Sequence, residues 1–352
     1  MQAAEAMGAE ALLVTHLPYV RYLSGFTGSS GAVALRRGRA ALFTDGRYRT
    51  QAQEECKGLR VVVQKGSPAV LAAEWLVAAG GRRCAFDASQ TSVAALDTWR
   101  KALPGKLRRS FFLSTELLVA RLREMKDTDE VAKMRRAAAL GCRLFAGVLE
   151  HIVAGATEMQ VAAQLEFAAR LAGAEEMSFE TIVASGSRSA LPHGRATSAK
   201  LPKRGFVTLD FGVLLDGYCS DMTRTVHLGK ASQRERDVYH SVLEAQQAAV
   251  AAIAPGVSCG DVDEAARSVL RKAKLGNSFT HSTGHGVGLE IHEGPRVAAG
   301  QKQLLEPGMV VTVEPGVYLP GEFGVRIEDM VLVMANGGKV LTAASPKSWI
   351  EL

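Results

Sequence analysis

The sequence has few cysteines and no long apolar run, and both scarcities exclude classes of protein. Its five cysteines are widely spaced and include no C-x-x-C pair, so neither a disulfide framework nor a thiolate zinc site is expected. No uncharged apolar run approaches the ~18 residues that indicate a membrane helix. Glu5 and Glu10 lie where a signal peptide carries basic residues. We therefore expect a cytoplasmic protein without a membrane segment.

Charged residues are not scarce, but they are unevenly distributed. Asp, Glu, Lys and Arg make up 22% of the 352 residues, and the formal net charge is +6, values that indicate a folded chain rather than a disordered one. Residues 1–120 carry 16 Lys and Arg against 9 Asp and Glu. These basic residues are scattered and form no nucleic-acid-binding motif. We expect a solvated basic surface and no nucleic-acid partner.

The first third of the chain alternates short apolar strands with helices, which is typical of an α/β layer. Two helices are predicted, at residues 68–79 and 91–103. Residues 107–125 are expected to lead out of this layer. The predicted strands are residues 11–15, 31–35, 40–44, 59–64 and 84–87.

A second domain is predicted to begin near residue 125. Asp127 and Glu130 have the spacing of a capping box, and a long amphipathic pattern follows them to about residue 153. The length of the chain also favours two domains. We therefore place one domain at residues 1–124 and another at residues 125–352.

The second domain contains an apparent internal repeat. Thr157 and Gln160 begin a second helix, expected to end near residue 171, and a Ser-Phe pair follows at 178–179. A long helix, a glycine-containing turn, a further helix and a Ser-Phe pair at 278–279 then occur in the same order. One supersecondary unit used twice would create a pseudo-twofold cleft.

Four acidic residues interrupt or flank apolar, strand-like segments. Asp210 lies within Val-Thr-Leu-Asp-Phe-Gly, and Asp221 opens the next strand. Glu314 follows Val-Val-Thr-Val, and Glu328 follows Val-Arg-Ile. Each acid alone could be explained by hydrogen bonds in a turn or by a nearby arginine. Because buried carboxylates are costly unless a cation neutralises them, the four together favour a metal site.

Histidines near these acids strengthen the metal-site prediction. His285 lies in Gly-His-Gly-Val-Gly, where the glycines allow the backbone to approach closely. His292 follows it in Ile-His-Glu, and His193 lies in the turn-like Leu-Pro-His-Gly. One imidazole with four carboxylates suits manganese or cobalt, and also zinc or iron. Two such ions activate a water and polarise a carbonyl, so metal-assisted amide hydrolysis is the expected reaction.

These residues resemble a known family. The runs Asp-Met-Thr-Arg-Thr, Gly-His-Gly-Val-Gly, Glu-Pro-Gly and Arg-Ile-Glu-Asp match the ligand signature of the pita-bread metallopeptidases in order and context. Residues 21–30 and 42–48 resemble the creatinase/prolidase amino-terminal domain. The resemblance implies an α/β amino-terminal domain followed by a pita-bread α+β catalytic domain with an internal pseudo-twofold repeat.

The resemblance also implies how two divalent metal ions are held. Asp221 and Glu328 would bridge both ions, Asp210 would hold one, and His285 with Glu314 would hold the other. Glu314 would also accept a proton from the bridging water. Manganese is the expected metal, with cobalt or zinc as alternatives.

Five further residues receive roles from the same resemblance. His292 would stabilise the tetrahedral intermediate, and His193 would position the substrate or its leaving nitrogen. Arg326 would support the ligands, and Tyr318 would line the proline end of the pocket. Arg296 would pair with a substrate carboxylate, since arginine offers a bidentate fork, or it is simply a surface arginine.

The activity implied is hydrolysis of Xaa-Pro bonds in short proline-containing peptides by a metal-bridged hydroxide, in a homodimer. The sequence does not separate an aminopeptidase P from an Xaa-Pro dipeptidase. A metallo-aminopeptidase of different specificity is an alternative, but methionine aminopeptidases usually lack the amino-terminal domain, and creatinase needs no metal. A non-catalytic binding scaffold on the same fold is the other alternative, and such relatives have lost ligands that are present here.

Overall fold

The computed structural model describes residues 1–352. Its amino-terminal unit, Met1–Arg123, is built on a six-stranded mixed sheet. The strand order is β4-β3-β2-β1-β5-β6, in which β2 is antiparallel to both of its neighbours and the other pairs are parallel. The strands are β1 (Ala11–Val14), β2 (Gly31–Arg36), β3 (Arg39–Thr44), β4 (Arg60–Val63), β5 (Cys84–Asp87) and β6 (Phe112–Thr115).

Six helices accompany this sheet, and most predicted elements agree with the structure to within two residues. The expectation that residues 107–125 only lead out of the layer is wrong, because Phe112–Thr115 is strand β6 and pairs in parallel with β5. This strand has four residues with buried ends and an exposed middle, too short to show a strand pattern. The helices are α1 (Gln2–Ala6), α2 (Leu17–Ser24), α3 (Arg49–Glu55), α4 (Pro68–Ala78), α5 (Val93–Ala102) and α6 (Leu118–Glu124).

The carboxy-terminal unit, Glu124–Leu352, contains four long helices and four small sheets. The helices are α7 (Thr128–Val148), α8 (Glu158–Leu171), α9 (Gln233–Ala252) and α10 (Cys259–Lys272). The strands are β7 (Glu176–Met177), β8 (Ile182–Ser185), β9 (Gly205–Phe211), β10 (Val213–Leu215), β11 (Tyr218–Cys219), β12 (Met222–Leu228), β13 (Gly284–Gly286), β14 (Glu293–Val297), β15 (Val310–Val313), β16 (Gly316–Leu319), β17 (Phe323–Arg326), β18 (Asp329–Met334) and β19 (Gly337–Val340). None of the helices in the chain is long and apolar enough to cross a membrane.

The predicted helix starts are real capping structures. At α7, the Asp127 side chain accepts from the Glu130 amide and the Glu130 side chain accepts from the Asp127 amide. Thr157 and Gln160 make the same reciprocal pair at α8. Two such bonds satisfy donors that have no partner within the helix. Helix α7 is shorter than expected, because it ends at Val148 rather than near residue 153.

The carboxy-terminal unit has separate apolar cores beneath its two helix pairs. Residues of α7 and α8, among them Phe145 and Leu165, pack with Phe211 of β9. Residues of α9 and α10, among them Val242 and Leu270, pack on strands β15 to β18. Each pair thus buries its apolar face against a different group of strands. All five cysteines are free and buried.

Candidate metal centre and its cavity

A cavity of about 690 Å³ in the carboxy-terminal unit brings together nine of the ten residues singled out from the sequence. Both acidic and basic side chains line it, together with the apolar Phe179, Ile182 and Ile291. A concave site with convergent polar groups is the usual setting of an active site. The nine residues are His193, Asp210, Asp221, His285, His292, Arg296, Glu314, Arg326 and Glu328.

Three of the five predicted ligands form a close group. One ligand atom from each of Asp221, His285 and Glu328 lies within 4.8 Å of the others. The His285 Nε2 atom is 3.7 Å from Asp221 Oδ2 and 3.5 Å from Glu314 Oε1. Asp210 lines the same cavity. At these distances the ligand atoms surround one common point in the cavity.

Strand pairing brings the four acids together from distant parts of the sequence. Asp210 lies on β9 opposite Thr223 of β12, and Asp221 comes directly before β12. The Glu328 amide donates to the Thr223 carbonyl at 3.1 Å, which fixes the β17–β18 connection beside the same strand. Glu314 follows β15, which pairs with β18. The acids therefore lie at strand ends or edges, where a side chain can face the cavity.

His285 is held in the tautomer that a metal ligand needs. Its Nδ1 lies 2.9 Å from the Gly286 carbonyl, and because a carbonyl oxygen only accepts, Nδ1 carries the proton. Nε2 is then a free acceptor that faces the carboxylates. The glycines predicted to allow close approach do so, since a Cβ on Gly284 or Gly286 would lie 2.0 Å from the carbonyl oxygen of Thr312 or Gly294, respectively.

Without a cation nearby, the charged form of these carboxylates is unfavourable. Burial raises the pKa of Asp221 and of Glu328 well above the usual range, and neighbouring carboxylates raise both further. Burial also raises the pKa of Glu314 to about 8, assisted by the charge of Asp210. The Oδ1 atoms of Asp210 and Asp221 are buried without a hydrogen-bond partner. Orphaned oxygens in an acidic, buried cluster fit divalent cations.

Burial disfavours the charged form of three imidazoles of the cavity. Burial lowers the pKa of His285 and of His281 to about 4. Burial also lowers the pKa of His292, whose ring centroid is 4.4 Å from that of His285. A neutral imidazole is the form that binds a metal ion or donates one hydrogen bond while accepting another.

Arg326 links the acids to the far wall of the cavity. Its buried guanidinium donates to Asp210 Oδ2 at 2.6 Å, to the Tyr318 hydroxyl at 2.7 Å and to the Pro192 carbonyl at 3.0 Å. Its Nε lies 3.2 Å from Thr223 Oγ1, which in turn donates to Glu328 at 2.7 Å. One arginine therefore orients two of the predicted ligands.

Tyr318, which the sequence predicts at the proline end of the pocket, lies directly beside two residues that line the cavity. Tyr318 is buried behind the cavity wall and is not among its lining residues. Its hydroxyl lies 2.9 Å from His281 Nε2. Because His281 Nδ1 faces the Ser282 carbonyl, Nε2 must accept, so Tyr318 donates to it while accepting from Arg326. Tyr318 therefore contacts the cavity through His281 and Arg326, and its place at the proline end of the pocket stays a prediction.

Several cavity residues received no role from the sequence. His281 is one of them, although it precedes His285 by only four positions and so had a signal. Glu293 forms a buried ion pair with Lys126 at 2.6 Å, and Glu180 pairs with Arg195 at 2.9 Å at an exposed part of the wall. These partners are far apart in sequence, and no local pattern joins them.

Comparison with known proteins agrees with this geometry. The sequence model of metallopeptidase family M24 matches residues 132–335, and that of the creatinase/prolidase N-terminal domain matches residues 1–125. The chain is 34% identical to the Xaa-Pro dipeptidase of Pyrococcus horikoshii, over 95% of this chain and 92% of that protein.

Two solved structures have nearly the same fold. An Xaa-Pro dipeptidase from Bacillus anthracis superposes with a TM-score of 0.95 at 39% identity, covering 100% of this chain and 97% of the other. An X-Pro aminopeptidase from Thermotoga maritima gives a TM-score of 0.91 at 34% identity, with 100% of both chains covered. The resemblance noted in the sequence is confirmed: the chain belongs to metallopeptidase family M24 and carries a creatinase/prolidase-type amino-terminal domain.

Proposed function

We propose that this chain is a metal-dependent exopeptidase that hydrolyses Xaa-Pro bonds in short peptides. The observation that carries the proposal is one cavity in which five ligand-type side chains face one another beside His193, His292 and Arg296. The similarity to an Xaa-Pro dipeptidase and to an X-Pro aminopeptidase supports the proline specificity. A non-catalytic scaffold would have no reason to keep four costly buried acids.

Two divalent ions fit the ligand set, and manganese is proposed, with cobalt or zinc as alternatives. Asp210, Asp221, His285, Glu314 and Glu328 would hold them. Bound there, the ions supply Lewis acidity and lower the pKa of a water molecule. The hard oxygen donors and the acceptor Nε2 of His285 support this assignment.

The chain's own residues divide the remaining work of amide hydrolysis. Glu314 accepts the proton of the attacking water and returns it to the leaving nitrogen, a role that carboxylates fill in general acid–base catalysis. His292 donates a hydrogen bond to the oxygen that becomes negative as the carbonyl carbon turns tetrahedral. His193 orients the proline end of the substrate. Arg326 keeps Asp210 in place through their hydrogen bond.

Arg296 favours a dipeptidase over an aminopeptidase P. It lines the cavity, and its side chain makes no hydrogen bond or ion pair within the chain, unlike Arg195, which pairs with Glu180. A free guanidinium in a cavity is suited to a carboxylate, which it binds in a bidentate manner. The free carboxylate of the proline in an Xaa-Pro dipeptide is such a group, and a longer peptide lacks it there.

An activity panel tests the proposal. The purified protein, loaded with manganese, cobalt or zinc, is offered Leu-Pro, Leu-Pro-Gly and Leu-Ala, and the released amino acids are measured. We expect cleavage of Leu-Pro, much slower cleavage of Leu-Pro-Gly and none of Leu-Ala. Preference for Leu-Pro-Gly would instead favour an aminopeptidase P, and cleavage of none of the three with no bound metal would favour a scaffold.

The proposal also includes an oligomeric state and a cellular compartment for this chain. The similarity to this family leads us to expect a homodimer. Light scattering at micromolar concentration should then give twice the mass of one chain. A monomer under those conditions would contradict it. Five free, buried thiols support a reducing compartment such as the cytoplasm.

A further inference from the structure

Glu158 is a buried acid that the proposed chemistry does not use. It is the first residue of helix α8, and its side chain is fully buried. It is not among the residues that line the cavity. A buried carboxylate needs partners for both oxygens, and those of Glu158 come from a single stretch of the chain, residues 185–197.

Six hydrogen bonds join this carboxylate to that stretch. Oε1 accepts from the amide and hydroxyl of Ser185 at 2.9 and 3.0 Å. Oε2 accepts from the amide and hydroxyl of Thr197 at 3.1 and 2.8 Å. Between them, Arg188 Nε reaches both oxygens at 3.2 and 3.0 Å. One side chain therefore fastens the two ends of a thirteen-residue segment and a point within it.

The middle of the segment forms part of the cavity wall. Pro192, His193 and Arg195 line the cavity, and the Arg188 guanidinium also donates to the Arg195 carbonyl at 2.8 Å. No hydrogen bond or ion pair holds the His193 ring itself, whereas His285 and His281 are each fixed through Nδ1. The place of the His193 ring therefore depends on the backbone that carries it.

We propose that Glu158 is a positioning residue, which acts on catalysis by fixing the segment 185–197 so that His193 faces the substrate. The inference rests on the proposed function for its kinetic consequence. With an amide in place of the carboxylate, an NH₂ group would face donors, and the Arg188 charge would lose its partner. The segment would then loosen while every predicted metal ligand kept its own contacts.

The test compares Glu158→Gln with Glu235→Gln in the metal-loaded protein. Glu235 is a matched control because it is also a buried helix-start glutamate that pairs with an arginine, Arg204, and none of its partners lines the cavity. A misplaced group typically costs about 10²-fold in rate, so we expect Glu158→Gln to lower kcat/KM on Leu-Pro by about that factor at full metal content. Glu235→Gln should leave kcat/KM unchanged even if it lowers the melting temperature.

A double variant separates positioning from a general structural role. If Glu158 acts through His193, the pair Glu158→Gln and His193→Ala should be no slower than His193→Ala alone. Multiplied losses in the double variant would overturn the proposal, and so would native kcat/KM in Glu158→Gln.

Should Glu158→Gln fail to fold, Thr197→Val removes one donor to the carboxylate, and Thr197→Ser restores it. We expect a loss in the first and native kinetics in the second, and equal kinetics in both would overturn the proposal.

Hydrogen exchange supplies a readout that is independent of substrate. Amides of residues 186–197 should exchange faster in Glu158→Gln than in the unsubstituted protein, and Glu235→Gln should leave them unchanged. Unchanged exchange there would overturn the positioning role. If the unsubstituted protein cleaves no Xaa-Pro peptide, the proposed function fails, and the exchange result still decides whether Glu158 orders the segment.

Discussion

His292 lies beside a predicted ligand without belonging to the ligand set, so its replacement separates chemistry from metal binding. Its ring lies edge-on to that of His285, with the ring centroids 4.4 Å apart. A donor that acts only in the transition state contributes about 10²–10³ in kcat and little to KM. We expect His292→Ala to keep its metal and its KM while kcat falls by about that factor. Loss of metal in this variant, measured by elemental analysis, would make His292 a ligand or its support.

Arg296 allows the same separation for substrate recognition. Hydrogen bonds to a charged group contribute about 1.5–3 kcal/mol, or roughly ten- to a hundredfold in KM. We expect Arg296→Gln to raise KM for Leu-Pro by that factor and to leave KM for Leu-Pro-amide unchanged. Arg195→Gln is the control, because Arg195 is already paired with Glu180. Equal effects of Arg296→Gln on both substrates would contradict carboxylate recognition.

Strand β13 packs very closely against its neighbours at the site. Gly286 lies where a Cβ would be 2.0 Å from the Gly294 carbonyl oxygen, and it directly follows His285. Overpacking of this kind costs about 1–3 kcal/mol. We expect Gly286→Ala to lower both the melting temperature and the metal affinity, measured by calorimetric titration.

Gly147→Ala is the matched control for that substitution. Gly147 lies in helix α7 with open space where a Cβ would be, and alanine there should stabilise the helix by about 0.5–1 kcal/mol. Unchanged metal affinity in Gly286→Ala would show that His285 does not depend on the close packing of β13.

Local patterns in the sequence predict the elements that carry their own signals. The reciprocal caps at Asp127 and Thr157 were predictable because cap and partner lie three residues apart. Acids within apolar strands, such as Asp210, predicted the candidate metal site because each contrasts with its immediate apolar neighbours. Strand β6 was missed because four residues with exposed centres show no periodicity.

Contacts between segments that are distant in the sequence could not be predicted from local patterns. The Tyr318 hydroxyl bridges His281 and Arg326, and this geometry exists only once β16 and β17 pair and fold against the 279–283 segment. The Glu158 bonds to Ser185 and Thr197 likewise need the folded chain. Sequence therefore predicts which residue types gather, and the fold decides which of them reach the cavity.

At the scale of the molecule, the buried acids link stability to pH and to metal. In the metal-free protein the pKa of Glu314 is about 8, against an ordinary value of 4.5, so the folded state binds its proton more tightly than the unfolded state. The stability that this provides is lost as pH rises towards 8. Asp221 and Glu328 act in the same direction.

The histidines act oppositely, but only at lower pH. The lowered pKa of His285, about 4 against 6.5, makes stability rise with pH up to about 6.5. The clean window is therefore pH 6.5 to about 8, in which we expect the melting temperature of chelator-treated protein to fall. The fall should be smaller in Glu314→Gln and absent in metal-loaded protein, since the ions bind deprotonated carboxylates. A flat or rising profile for the chelated protein would contradict the account.

The central claim is that these five side chains bind two divalent ions that are required to hydrolyse an Xaa-Pro bond. The most direct test titrates metal-free protein with Mn²⁺ while proline release from Leu-Pro is followed. We predict no activity without metal and a plateau at two ions per chain, and Asp221→Asn should reach neither the occupancy nor the rate because it loses a bridging charge. Full activity in chelated protein, or native occupancy and turnover in Asp221→Asn, would contradict the claim.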